Sequence, residues 1–484
     1  MFMMHKKETE LVDKADATRG AHLTQRPGNR LVSAVLMGTL LNPLNSSMIT
    51  VTLILIQTNF RISVTTVSLL LSSFALAAAI AQPLMGRFSD LFGSRRVFCT
   101  GLLMVGIASA FAPFVPAFGW LIAIRMVQAL GTSAAYPAGL AIIRAGDPQG
   151  QAPTGTLGAI SITSSVSVAL GPVLGGFLAR LSGWPAIFLV NIPLVIVGLI
   201  LALRWLPADS PPGLTTLGDS PSRLSVAHEV LRMVDVPGIV LFSGMLASLL
   251  AFLLSLASGP LWLLLPVALL AAVLLVLRER GVAEPFLNVR MLAANRPLIG
   301  VYAQFAGVNI VFYAVFFSMP LWLEQVRGFD SGMSGLLLLP IAGMGVLATP
   351  IAARLISKSG PGPALIIGTF ALAVGSLLLL VFNAATPVIV ILAVGVVLGI
   401  PNGFNNLGLQ AALYEHAPAR QMGAASGQFQ TFRYVGVILA TSLLGTTITS
   451  DGLHIIAVIL TIISVLLLLA SIPTYRLRHG MRGE

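Results

Sequence analysis

The sequence predicts an all-α membrane protein of about fourteen helical spans built from two duplicated halves. Three observations carry that prediction: a chain of 484 residues that is 56% hydrophobic and only 9% charged, apolar runs that recur at helix length, and one segment that appears in both halves. A soluble domain carries about 25% charged residues, so a water-soluble fold is excluded. Crossing a hydrocarbon layer of about 30 Å takes about 20 helical residues, because backbone exposed to lipid must satisfy its hydrogen bonds within the segment. Runs of that kind fall at about 31–56, 65–86, 97–116, 118–143, 156–180, 185–206, 236–256, 261–277, 297–322, 332–353, 363–383, 386–413, 423–448 and 454–474.

The expected organisation follows from the gaps between those runs. A tail over 1–30 precedes a six-helix bundle over 31–206, and a polar linker over 207–235 contains Pro211, Pro212 and Gly213. Two extra helices occupy 236–278 and a loop 279–296; a second six-helix bundle over 297–474 ends in a tail over 475–484. The net charge of +11 reflects topology, since the basic residues stand between apolar runs rather than among stacking aromatics, and nucleic acid is not an expected partner. With the N-terminus inside, about 23 of the 28 Lys and Arg are cytoplasmic, Arg61, Arg180 and Arg327 are outside, and Arg125 and Arg433 lie within spans. An even number of spans returns the C-terminus to the cytoplasm. The first thirty residues carry Lys6, Lys7, Lys14 and Glu8 and lack the apolar core of a signal peptide. The single cysteine, Cys99, allows neither an intrachain disulfide nor a cysteine metal site.

The repeat is read by laying Gln82–Gly93 on Thr349–Gly360, where 350 − 83 = 267 aligns Pro83 with Pro350, Arg87 with Arg354 and Gly93 with Gly360. Each copy closes a span and crosses the cytoplasmic face. In the first copy the glycines Gly86 and Gly93 permit a tight turn, Asp90 is suited to accept from free amides at a helix N-terminus, and Arg95 and Arg96 stay in the cytoplasm. In the fourth span Arg125, Gln128 and Thr132 share a face, and a buried arginine costs about 2.5–3.5 kcal/mol on insertion scales, so it needs a partner or a wet cavity. Span five carries Gly171-Pro172-Val173-Leu174-Gly175-Gly176, in which the proline removes a backbone donor and the glycines admit a neighbouring helix, as a pivot requires. Further runs are Trp184–Pro193, Met319–Phe329 leading to Leu339-Pro340, Ala424–Gly427, and Phe432–Gly436, where Gln430, Arg433 and Tyr434 share a face.

These runs resemble the major facilitator superfamily, and within it the fourteen-helix drug:proton antiporter branch of EmrB/QacA-type multidrug exporters. The resemblance covers nearly the whole chain. It implies a fold of two six-helix bundles with two linking helices, a conformational switch at Gly86, Asp90, Gly93, Arg95 and Arg96, and an antiporter hinge at Gly171, Pro172, Gly175 and Gly176. It also implies a bacterial inner-membrane location with drug efflux as the activity. The sequence departs from the branch at Asn45, which stands where the family often carries an acidic residue.

Polar faces at mid-depth predict a transport pathway: Asn42, Asn45 and Ser46; Arg125, Gln128 and Tyr136; Asn309 and Tyr313; Asn402, Asn405, Asn406 and Gln410; Gln430 and Arg433. Any one asparagine serves equally as cavity lining or as glue between helices. No acidic residue lies deep in a span, so proton coupling is expected to use a peripheral carboxylate, Glu324 or Asp235, or a titratable substrate, or to be absent. Lys6, Lys7, Lys14 and Lys358 follow no phosphate-binding glycine loop, and no metalloprotease or hydrolase motif is present, so neither enzyme chemistry nor a cofactor is expected. Three functions stay open: a proton-coupled exporter of small amphipathic molecules, with two buried arginines favouring neutral or anionic ones; an uncoupled exporter or facilitator; and a non-transport scaffold or sensor. The expected partners are a small-molecule substrate, the lipid bilayer and protons, and the residues name no periplasmic adaptor.

Overall fold

The computed structural model describes residues 28–145, 154–209, 235–256, 259–282, 285–286, 289–417, 422–444 and 450–480. The expected N-terminal tail and polar linker lie almost wholly outside these residues. Fourteen long helices and a short one at Val289–Ala294 make up most of the described chain. The first six are α1 (Asn29–Phe60), α2 (Val64–Ser89), α3 (Ser94–Phe114), α4 (Phe118–Ala145), α5 (Thr154–Ser182) and α6 (Ala186–Trp205). Two more follow, α7 (Val236–Ser255) and α8 (Leu264–Glu279). The last six are α9 (Arg296–Gln325), α10 (Ser331–Ser359), α11 (Pro361–Val381), α12 (Val388–His416), α13 (Met422–Thr441) and α14 (Ser450–Gly480). The C-terminal segment expected as a tail continues α14 through Gly480.

Among the described residues, 12 of these helices are long and apolar enough to cross a membrane, which makes the chain a multi-pass membrane protein. The other two stand at predicted spans and fall short for different reasons. Helix α8 has 16 residues, whereas α13 is 20 residues long but carries Gln428, Gln430 and Arg433. The starts of the helices extend the repeat beyond the aligned loop: 296 − 29, 331 − 64 and 361 − 94 each give 267, so α9, α10 and α11 begin where α1, α2 and α3 predict.

The ends of several helices follow ordinary capping chemistry. Ser63, Asn295 and Asp330 accept from the amides of Thr66, Leu298 and Met333, and each satisfies one of the donors that a helix start leaves free. Prolines inside α2, α4, α5, α9, α10 and α12 (Pro83, Pro137, Pro172, Pro320, Pro350 and Pro401) remove backbone hydrogen bonds where a neighbouring helix packs.

Packing within the first six helices pairs α3 with α4, α2 with α4, and α1 with α5; within the last six it pairs α10 with α12, α11 with α12, and α9 with α13. Two pairs make the main joins between the halves, α2 with α13 and α5 with α10, and α1 also touches α9 and α10. Helices α7 and α8 pack on each other, and α7 touches α2 and α13 from outside. Val240, Leu269, Leu270 and Leu277 of this pair are exposed, as a lipid-facing surface requires.

Candidate functional site

Alternating helix direction gives the bundle two distinct ends. The end that carries the start of α1, here the loop end, also holds the α2–α3 connection, where Gly93 adopts φ +95. A side chain at Gly93 would also strike Asp209, whose carboxylate accepts from the backbone amides of Arg95 (2.8 Å) and Arg96 (3.0 Å) at the start of α3. The sequence reading gave such an acceptor role to Asp90, whose side chain lies outside the described residues; Asp209, from beyond α6, holds these two amides. A carboxylate at a helix N-terminus satisfies free donors and meets the positive end of the helix dipole, and Asp209 does both. The Arg95 guanidinium donates to the Leu203 carbonyl (2.5 Å), which ties α3 to the end of α6, and Arg87 donates to Pro285 (2.9 Å).

At the far end the halves close on each other through α1 against α9 and α10 and through Gly176 against Ser331, and rings pack within each half. Trp322 is fully buried against Phe382 (5.5 Å between ring centres), and Phe60 packs on Trp184 (5.7 Å) and Phe118 (5.9 Å). Arg180 reaches Asp330 across the gap between α5 and α10 (3.7 Å).

Between the halves, on the loop-end side of this seal, lies a cavity with about 1020 Å3 of empty space, its mouth included. Of the predicted pathway residues it takes in Tyr136, Asn309, Tyr313, Asn402, Asn406, Gln410, Gln430 and Arg433. Among the described residues its wall contains no Asp or Glu. Ser161, Ser164 and Ser165 of α5 also line it, which the sequence reading missed. Their spacing of three and four residues was the available signal, masked because serine hydroxyls return hydrogen bonds to their own helix and pass unnoticed in an apolar run.

The remaining predicted pathway residues do other work. Asn45 is a correction: its side chain turns into the first half and accepts from Asn191 of α6 (2.9 Å), so it is glue rather than lining. Asn42 donates to Thr132 (3.0 Å) and accepts from Tyr434 of α13 (3.1 Å), bridging the two halves. Gln128 accepts from Arg125 (3.1 Å) and donates to Ser109 (2.8 Å), and Asn405 is fully buried against Gly368, away from the cavity. Ser46 and Arg125 line a separate small pocket that also includes Tyr313 and Arg433.

Neither peripheral carboxylate reaches the cavity. Asp235, expected as one candidate proton carrier, caps α7 through Gly238 (3.1 Å) and pairs with Arg278 of α8 (3.0 Å). Glu324 stands at the far end of α9, outside the wall of either pocket.

The hinge residues meet two helices at once. A side-chain carbon at Gly171 would overlap Ser47 of α1, one at Gly175 would lie 2.6 Å from the Met48 carbonyl, and one at Gly176 would lie 2.3 Å from the Ser331 carbonyl of α10. On the opposite wall a carbon at Gly335 would lie 2.3 Å from the Pro172 carbonyl. Here backbone packs on backbone across the two halves, which only glycine permits.

A family model described as the Major Facilitator Superfamily matches residues 35–441. The chain belongs to the major facilitator superfamily. It is 39% identical over 414 residues to YwoD of Bacillus subtilis (strain 168), an uncharacterized MFS-type transporter, covering 86% of this chain and 89% of that one. It is 28% identical over 449 residues to the tetracenomycin C resistance and export protein of Streptomyces glaucescens, covering 90% of this chain and 78% of that one. The solved structure of the human organic anion transporter MFSD10 superposes with a TM-score of 0.60 over 92% of this chain and all of that one, at 16% identity, and so bears on the fold alone. Within a superfamily of secondary transporters, which are not enzymes, a cavity between halves is the expected place for a small-molecule substrate.

Proposed function

We propose that this superfamily transporter exports small amphipathic molecules across the bacterial inner membrane by alternating access. The observation that carries the reading is the pairing of α5 with α10. The two helices touch backbone to backbone at Gly176 and Gly335 toward the far end, and they face each other across the cavity through Ser161, Ser164 and Thr349 toward the loop end. A rigid pair in contact at one end and parted at the other is half of a rocking cycle, with the glycines as fulcrum. The wall mixes Phe305, Phe312 and Phe429 with amides, which suits amphipathic cargo.

On this reading the loop end is cytoplasmic. Arg87, Arg95, Arg96, Arg144, Arg204, Arg278, Arg280, Arg290, Arg296, Arg354 and Lys358 gather there, against Arg61, Arg180 and Arg327 at the far end. The rocking units are 31–206 and 297–474, with 236–278 as a peripheral pair. We place α8 and α13 in the bilayer as well, which makes fourteen spans: α8 because it pairs with α7 along its length, and α13 because it forms one wall of the cavity and the seam with α2. The similarity to a tetracenomycin C export protein supports outward transport of a drug-like molecule.

Coupling is the open branch of this proposal. The cavity wall holds no carboxylate, and Asn45 is amide-paired, so a proton carrier has to be peripheral Glu324 or the substrate itself. The deciding experiment uses everted membrane vesicles with a pH-sensitive dye and a panel of amphipathic compounds. Accumulation of a compound with release of lumenal protons supports antiport; accumulation without proton movement supports the uncoupled exporter. Absence of flux for every compound in purified proteoliposomes would return the chain to the scaffold or sensor reading.

A further inference from the structure

We propose that the small pocket between Arg125 and Arg433 is an anion subsite that takes one carboxylate-sized monoanionic group. The proposal deepens the export reading and rests on it for its role in substrate choice.

The pocket is separate from the large cavity but shares two wall residues with it, Tyr313 and Arg433. The empty space in it, open space at its mouth included, is about 310 Å3, and Ser46, Phe74, Arg125 and Tyr434 complete its polar and aromatic wall. Arg125 is 1% exposed. Its Nη1 donates to Gln128 (3.1 Å), and its plane lies over the Phe74 ring at 4.3 Å. Its Nε and Nη2 have no hydrogen-bond partner.

Those two nitrogens form one edge of the guanidinium, with two N–H bonds side by side, which is the fork that matches the two oxygens of a carboxylate. A buried charged donor without an acceptor is costly, and no acidic residue stands in the wall to offset it. Arg433 brings a second charge from the other half, held by donation to the Tyr313 hydroxyl (2.6 Å) and flanked by the Tyr434 ring. A single negative group between them would neutralise one of two facing cations from opposite halves. Beyond the arginines and Ser46 the wall is largely apolar, Leu71, Ala75, Phe317 and Val437 included, so it lacks the donors that the extra oxygens of a phosphate dianion require. The group is therefore compact and singly charged: the carboxylate of a substrate whose apolar part lies in the cavity beyond Tyr313, or a free halide.

Purified full-length protein, titrated at constant ionic strength made up with a bulky Hepes salt, tests this. Thermal unfolding is followed against benzoate, its neutral counterpart benzamide, acetate and chloride. The expected result is saturable stabilisation by benzoate and acetate and none by benzamide. Arg125→Lys keeps the charge but loses the fork, so carboxylate affinity should fall roughly tenfold or more while chloride affinity changes less. Ser46→Leu fills the pocket, leaves both arginines in place, and should abolish anion stabilisation in a protein that still unfolds cooperatively. Chloride that competes with acetate identifies a free halide as an occupant of the same site; acetate binding indifferent to chloride assigns the site to the carboxylate.

A wild-type protein with no saturable anion response overturns the proposal, as does a response unchanged by both substitutions. Flux in the same preparation keeps the two readings apart. Export of neutral compounds without an anion response removes the subsite alone, whereas anion binding without any flux removes the export reading alone.

Discussion

The two seams that join the halves are built on opposite principles. Where α5 meets α10, Gly176 lies against the Ser331 carbonyl and Gly335 against the Pro172 carbonyl, so the contact is made by main chain and leaves no room for a side chain. Where α2 meets α13, side chains do the joining: Thr431 donates to the Ala79 carbonyl (3.1 Å), and nearby Tyr434 of α13 donates to Asn42 of α1 (3.1 Å). A backbone seam tolerates rolling because its side-chain link, the exposed Arg180–Asp330 pair (3.7 Å), is loose, whereas a hydrogen-bonded seam has partners that must separate or move together. The contrast teaches that one seam is suited to be a fulcrum and the other a latch.

The comparison breaks most readily at the fulcrum. Gly176→Leu forces a side chain into the Ser331 backbone, so overpacking of about 1–3 kcal/mol and flux at background are expected, measured in proteoliposomes with thermal unfolding as the control. Near-normal flux in that variant would remove the fulcrum role. Asp209→Ala uncaps α3 wholly within the first half; a stability loss of about 0.5–2 kcal/mol is expected with the seams intact, read from the unfolding midpoint. Tyr434→Phe deletes the bridge to Asn42 and should cost about 0.5–1.5 kcal/mol, with an increase in labelling of cysteines placed along α13 if the latch loosens. Thr431→Val is the smallest test, about 0.6 kcal/mol for an interhelical hydrogen bond, and an effect as large as that of Gly176→Leu would erase the distinction between seams.

Much of the fold was legible because the bilayer leaves so few solutions. Helix length, the charge asymmetry and Pro83 matched with Pro350 were enough to read an all-α membrane fold, in which 12 helices qualify as spans among the described residues, and the 267-residue offset. The site was legible only in part. Helical spacing shows which residues share a face and not what that face meets, so Asn402 and Asn406 stand on the cavity wall, while Asn45, on an equally polar face, is paired with Asn191. Asp209 was missed as the α3 cap because its partners, Arg95 and Arg96, are 114 and 113 residues distant, and no local pattern reports a contact of that range. The cap made by Asp235 was legible but not named: an acid at the edge of a span draws attention as a titratable group, and Asp before Val-Pro-Gly is also an ordinary helix start.

Gly93 and Gly360, which the offset pairs, both take positive φ, +95 and +77, in backbone conformations that other residues enter only under strain. Their neighbours are free to diverge: Ser94 and Arg95 stand opposite Pro361 and Gly362. Beside the matched Pro83 with Pro350 and Arg87 with Arg354, the halves therefore share two corners that admit little but glycine, and those corners can outlast the divergence of their flanks.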